Sequence, residues 1–213
     1  MDPIEDQAMA TIGAVAAAAD VRVQHQQELH EAGIDAIFEQ QTPAAVKIEN
    51  ITQEIIETCL NLKKFAHWNK YLSLAGLAAN QCSVRGERCL LNVCFVNIDT
   101  QSFMHKDWVV AINPEIIAKQ NPTFDAWEGC LTWPGKKLRA MRYTGVTVRY
   151  QTLEGIVQER VAMDFEAQVW QHEINHLNGV AEDVRDPAAK VTAKPNDPCP
   201  CKSGAKFKRC CGR

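Results

Sequence analysis

The sequence predicts an α+β fold, and three observations carry that expectation. Apolar, β-rich stretches follow one another through the middle of the chain: "CLLNVCFVNI" (89–98), then 109–112, "GVTVRY" (145–150) and "IVQERVAMDF" (156–165). The last two flank Leu153-Glu154-Gly155, which reads as a hairpin turn. A single helical segment, 165–177, comes after these strands rather than alternating with them, so repeated parallel β-α-β units are not expected.

In chain order, residues 1–46 read as a helical N-terminal extension. Ala8 to Ala19 is alanine-rich, and Asp20 to Gln41 carries Val23, Leu29, Ile34, Ile37 and Phe38 at uneven helical spacing until Thr42-Pro43 ends it. This extension packs on the body or serves assembly; no chemistry is legible in it. A helix is expected over 52–65, with Thr52 as N-cap and Ile55, Ile56, Cys59, Leu60 and Leu62 as its apolar face. The strands follow, and Gly179 stands where a C-terminal cap belongs after the 165–177 helix. Residues 47–185 form the expected central domain. "DPAAKVTAKPNDP" (186–198) has three prolines and no apolar periodicity, the mark of a linker, which gives way by 196 to a cysteine-rich tail.

A chain of 213 residues with 46% hydrophobic content buries one sizeable core. The net charge of −3 hides an asymmetry: from Lys190 to Arg213 seven Lys or Arg face one Asp, a local +6, which leaves −9 on the rest. The tail either meets something negative or is simply solvated. The N-terminus is acidic where a secretion signal needs positive charge, and no window is apolar enough to span a bilayer. A cytoplasmic location is therefore expected, with the nine cysteines reduced or metal-bound. Cys59, Cys82, Cys89 and Cys94 sit in apolar surroundings and read as core residues.

The chemistry concentrates in "QHEINHLNG" (171–179). Helical residues i and i+4 share one face, so His172 and His176 can hold a single cation. Glu173, about 100° round the helix, sits beside that cation as a base for its water. Two third ligands compete: Glu182, which completes an H-E-x-x-H-x-x-G-x-x-E spacing, and Cys130 in "WEGCLTWPG", whose thiolate would neutralise one metal charge.

Three motifs in order resemble the peptide deformylase family: "AGLAANQ" (75–81), "EGCLT" (128–132) and "QHEINHLNG". "INPEI" (112–116) and the "VTVRY" hairpin are also similar to family sequence. The resemblance covers about 47–183 and implies antiparallel sheets around a central H-E-x-x-H helix. It implies removal of the N-formyl group from the initiator formyl-methionine of nascent polypeptides, with release of formate. On it Cys130, His172 and His176 bind the catalytic metal, whose water attacks the formyl carbonyl with Glu173 as general base and acid. Gln81 and the backbone N–H of Leu131 meet the oxyanion, and Ala75, Gly76, Gly129 and Val169 line the substrate site, with Phe165 beside them. Ferrous iron is the metal family members commonly use; zinc, nickel or cobalt fit the same ligands. The sequence departs from the family at Leu74, in place of a glycine, at Asn175, in place of an aspartate, and at Thr132, in place of a serine. Lys137 and Arg139 are the candidates for a substrate-binding cation.

In the tail, Cys199 and Cys201 precede Cys210 and Cys211 by a gap of eight residues. Four thiolates on a segment too short to fold alone fit a closed structural zinc site, with paired disulfides as the other option. Residues 196–212 resemble the SEC-C motif, which implies zinc and docking to a protein or nucleic-acid partner. Lys202, Lys206, Lys208, Arg209 and Arg213 surround the cysteines, and the polyanionic ribosome is the expected partner. Two other functions are open at this point: an H-E-x-x-H metallopeptidase using Glu182, and a non-catalytic ribosome- or export-associated binding protein.

Overall fold

The computed structural model describes residues 24, 27–28, 30–38, 42–68, 74–99, 107–180, 194–197 and 206–209. Helix α1 (Gln53–Trp68) begins where the sequence places it: the Thr52 hydroxyl accepts the Ile55 N–H at 3.3 Å. It buries Cys59, Leu62, Phe65 and Ala66, while Leu60, expected on that face, is exposed. Five strands build the central sheet in the order β2 (Gly76–Ala78), β5 (Val93–Asn97), β6 (Trp108–Glu128), β7 (Leu138–Gln151) and β8 (Val157–Met163), every pair antiparallel. A smaller antiparallel sheet joins β1 (Ile34–Ala36), β3 (Cys82–Val84) and β4 (Glu87–Arg88). Helix α2 (Asp164–Leu177) then closes the body.

The two-residue alternation of β5 explains its unbroken apolar run. Val93 and Phe95 pack with α1 in one core, and Cys94 and Val96 pack with α2 in the other. The sheet is thus a layer between two helices, buried on both faces at β5. Cys59, Cys82 and Cys89 belong to the first core and Cys94 to the second, as expected of small apolar side chains, and burial pushes the Cys59 thiol up to about 12. The hairpin turn at Leu153-Glu154-Gly155 is present, with Gly155 at φ 77° and its N–H bonded to the Thr152 carbonyl.

The N-terminal extension differs from its expectation. Its first stretch, Ala8 to Ala19, lies outside the described residues. The second does not stay helical to Gln41: Gly33 turns the chain at φ 66°, and Ile34 to Ala36 pair with β3. A free sheet edge with Ile34 set opposite Val84 outweighs weak local helix propensity. The next segment lies across the end of α2. The Ala45 N–H bonds the Leu177 carbonyl at 2.7 Å, and a side chain added at Gly179 would come within 2.9 Å of the Ala44 nitrogen. Gly179, at φ 66°, caps α2 as expected, its N–H on the His176 carbonyl.

Candidate metal centre

The chain leaves the large sheet at Ala78 and enters the small one at Cys82; between them Ala79–Gln81 make one 3-10 turn. That junction fixes Gln81 between the two cores, 2% exposed. The Ala78 N–H donates to Gln81 Oε1 at 3.0 Å, which aims the amide nitrogen at Thr132 Oγ1 (3.0 Å), Cys130 Sγ (3.5 Å) and His176 Nε2 (3.2 Å). Thr132 thus keeps the hydroxyl function of the serine it replaces. Cys130 comes from the tip of the β6–β7 hairpin, and His172 and His176 from adjacent turns of α2. Cys130 Sγ lies 3.3 Å from His176 Nε2, which lies 3.1 Å from His172 Nε2. The three ligand atoms fall within 4.8 Å of one another, and all three residues are buried.

This triangle fits a cation. Tetrahedral bonds of about 2.05 Å to nitrogen and about 2.3 Å to sulfur place ligand atoms about 3.3–3.6 Å apart. Burial alone would raise the Cys130 thiol, but hydrogen bonds and charge from His172 and His176 bring it down to about 6, so a thiolate is available at neutral pH. Of the two candidate third ligands, Cys130 meets the histidines; Glu182 lies outside the described residues.

Sequence reasoning missed the support behind His172. Its Nδ1 lies 2.7 Å from Glu128 Oε2, and Arg142 grips the same carboxylate through Nε (2.7 Å) and Nη2 (2.6 Å). With Nδ1–H given to Glu128, Nε2 presents its lone pair towards Cys130 and His176. Burial raises the Glu128 carboxyl, but Arg142 and His172 outweigh it and hold it at about 2. Because this is below the ordinary carboxylate value, the stabilisation is full above pH 4.5 and fades as pH falls towards 2. Metal-stripped Glu128→Gln protein is therefore expected to unfold about 3 kcal/mol more easily than the parent at pH 7. The gap should shrink below pH 4.5, as read from urea midpoints across pH. Gln171, another motif residue to which the sequence assigns no role, ties α2 to β7 by exchanging hydrogen bonds of 2.9 Å with the Tyr143 N–H and carbonyl.

A cleft of about 360 Å³ opens on the centre and is lined by the expected Ala75, Gly76, Gly129 and Val169, together with Leu131 and Glu173. Phe165 stands half exposed on its wall. Leu74 packs into the first core, and the close backbone approach falls at Gly76 instead. A Cβ there would stand 2.7 Å from Val169 Cγ1 and closer still to the Glu173 carboxylate. Gly76→Ala should push Glu173 aside and lower turnover about 100-fold with metal content intact, measured by kinetics beside metal analysis. Lys137 lines the cleft, whereas Arg139 is paired with Asp125 beside the Trp127 ring.

Comparison with known proteins finds relatives over most of the chain. The family model for polypeptide deformylase matches residues 26–186, and that for the SEC-C motif matches 196–213. The peptide deformylase of Endomicrobium trichonymphae is 33% identical over 144 residues, covering 68% of this chain and 77% of that protein. That of Rickettsia prowazekii is 30% identical over 154 residues, covering 68% and 84%. The crystal structure of a peptide deformylase from Synechococcus elongatus in complex with actinonin is similar with a TM-score of 0.60 at 25% identity. The match spans 73% of this chain and 83% of that one.

Proposed function

This chain belongs to the polypeptide deformylase family, and from that premise we propose that its cleft receives the N-formyl-methionyl end of a nascent polypeptide and hydrolyses the formyl amide to formate and a free amine. The observation that carries the reading is the meeting of Cys130, His172 and His176, with Cys130 and His172 lining that cleft together with Glu173.

Cys130, His172 and His176 would hold the divalent cation that deformylases require. Bound there, it supplies a water of lowered pKa and a Lewis acid for the formyl oxygen. Glu173, next in sequence to a ligand but turned about 100° round α2, takes the proton of the attacking water. It returns that proton to the departing nitrogen as the C–N bond breaks. Gln81 donates an amide hydrogen to the oxygen as it becomes negative, and the Leu131 backbone N–H is the second donor; such donors are typically worth about 3–4 kcal/mol each. Ala75, Gly76, Gly129 and Val169 hold the peptide end, with the methionine side chain against the apolar wall. Glu128 and Arg142 keep His172 in the ligating tautomer.

Ferrous iron is our assignment for the cation, with zinc, nickel or cobalt as replacements the donor set also accepts. Anaerobically prepared protein should release formate from a formyl-Met peptide and lose that activity in air. No formate under anaerobic conditions with any of the four metals would reject the reading.

In the tail, the Phe207 N–H bonds the Asp197 carbonyl (2.8 Å) and the Lys208 N–H the Pro195 carbonyl (2.9 Å). These bonds bring together the segments that precede the two cysteine pairs, which supports one zinc shared by Cys199, Cys201, Cys210 and Cys211, residues outside those described. The tail's positive charge favours ribosomal RNA as its partner and the cytoplasm as its location; among the described residues no helix is long and apolar enough to cross a membrane. Co-sedimentation with ribosomes should fall steeply with salt and on removal of 190–213. Equal sedimentation with and without the tail would reject this role.

A further inference from the structure

Helical spacing puts Phe165, Gln168, Val169 and His172 on one side of α2, and all four line the cleft. Phe165 and Val169 offer hydrocarbon, and His172 faces the cation site. Gln168, one turn before His172, is of another kind. It is half-buried in the cleft wall beside Phe165 and Val169, and among the described residues its carboxamide has no hydrogen-bond partner.

A donor set into an otherwise apolar slot discriminates by what it leaves unsatisfied. A hydrocarbon side chain filling the slot strips water from the amide and returns nothing. A side chain with an acceptor restores the bond. We propose, on the deformylase reading above, that Gln168 sets specificity for the first residue by donating its amide N–H to an acceptor on that side chain. The thioether of methionine accepts weakly, and the oxygen of methionine sulfoxide, one oxygen atom added at the sulfur, accepts strongly. An all-hydrocarbon slot would reject the sulfoxide, whose oxygen would shed water with no replacement. This enzyme therefore deformylates chains that begin with oxidised methionine, and it disfavours norleucine, the isostere of methionine with CH₂ in place of sulfur.

The test compares formyl-methionine, formyl-norleucine and formyl-methionine-sulfoxide peptides of otherwise identical sequence, read as kcat/KM for formate release. The parent protein is set beside Gln168→Leu and Gln168→Met, two good helix formers that remove the donor. Circular dichroism and metal content establish that each variant is intact. Both variants should lower the sulfoxide-to-norleucine ratio by about tenfold or more and improve norleucine turnover. An unchanged ratio would overturn the proposal, as would a uniform fall with all three peptides, which would assign Gln168 to the peptide backbone. Either result, obtained while the parent releases formate from formyl-methionine, leaves the deformylase reading standing; no formate from any peptide with the parent removes both.

Discussion

Cys130→Ala protein, purified without oxygen, is expected to bind its catalytic metal at least about 100-fold more weakly and to release almost no formate. Even residues that merely support metal ligands cost about 10–100-fold in affinity when removed, and Cys130 is itself a ligand in our assignment. It is also the one anionic member of the set, since its thiol titrates at about 6 between two imidazoles. Without it two neutral imidazoles would face a divalent charge alone in a buried site. Metal analysis of the dialysed protein, alongside formate assays, reads both effects. A variant that kept its full complement of metal would return the third position to Glu182 and the chain to the metallopeptidase reading.

Glu173→Gln separates binding from chemistry. The amide has the shape of the carboxylate and fits against Gly76, so metal content and KM should hold. It cannot accept the water's proton, and kcat should fall by about 100- to 10,000-fold, the usual range for a positioned general base. A kcat within tenfold of the parent would show that the proton goes elsewhere.

The legible parts of this molecule are those governed by short-range rules. Thr52 and Gly179 announce the helix ends, and the metal ligands on α2 follow from a spacing of four. The apolar, β-rich run at 93–97 foretells a strand but not that it is shared between two cores, because that depends on α1 and α2 arriving on opposite faces. Local spacing offers Cys130 and Glu182 equally as third ligand; 42 positions and two strands separate Cys130 from His172, and no local pattern reports such a meeting. Glu128 and Arg142 were missed for the same reason. One clue to Glu128 is its place two before Cys130, while Arg142 looks like any charge in a strand until the hairpin register sets it on the same face of the sheet as Glu128. The helical reading of 34–36 failed because pairing with β3 is decided by tertiary structure.

The segment over the end of α2 has a bearing on how this protein can be shortened. The backbone oxygen of His176 takes a hydrogen from Asn80 at 2.6 Å, the same amide nitrogen reaches the Pro43 carbonyl at 2.9 Å, and Ala45 ties down Leu177 one residue on. Trimming the chain back to residue 47 would remove the Pro43 and Ala45 contacts from the very turn that carries a ligand, so the terminus that looks dispensable doubles as scaffolding for the catalyst. The fastening starts earlier still, since the Ile37 N–H bonds the Gln81 carbonyl at 2.8 Å and β1 pairs with the strand that follows Gln81, so a deletion that passes Ile34 already loosens the active site.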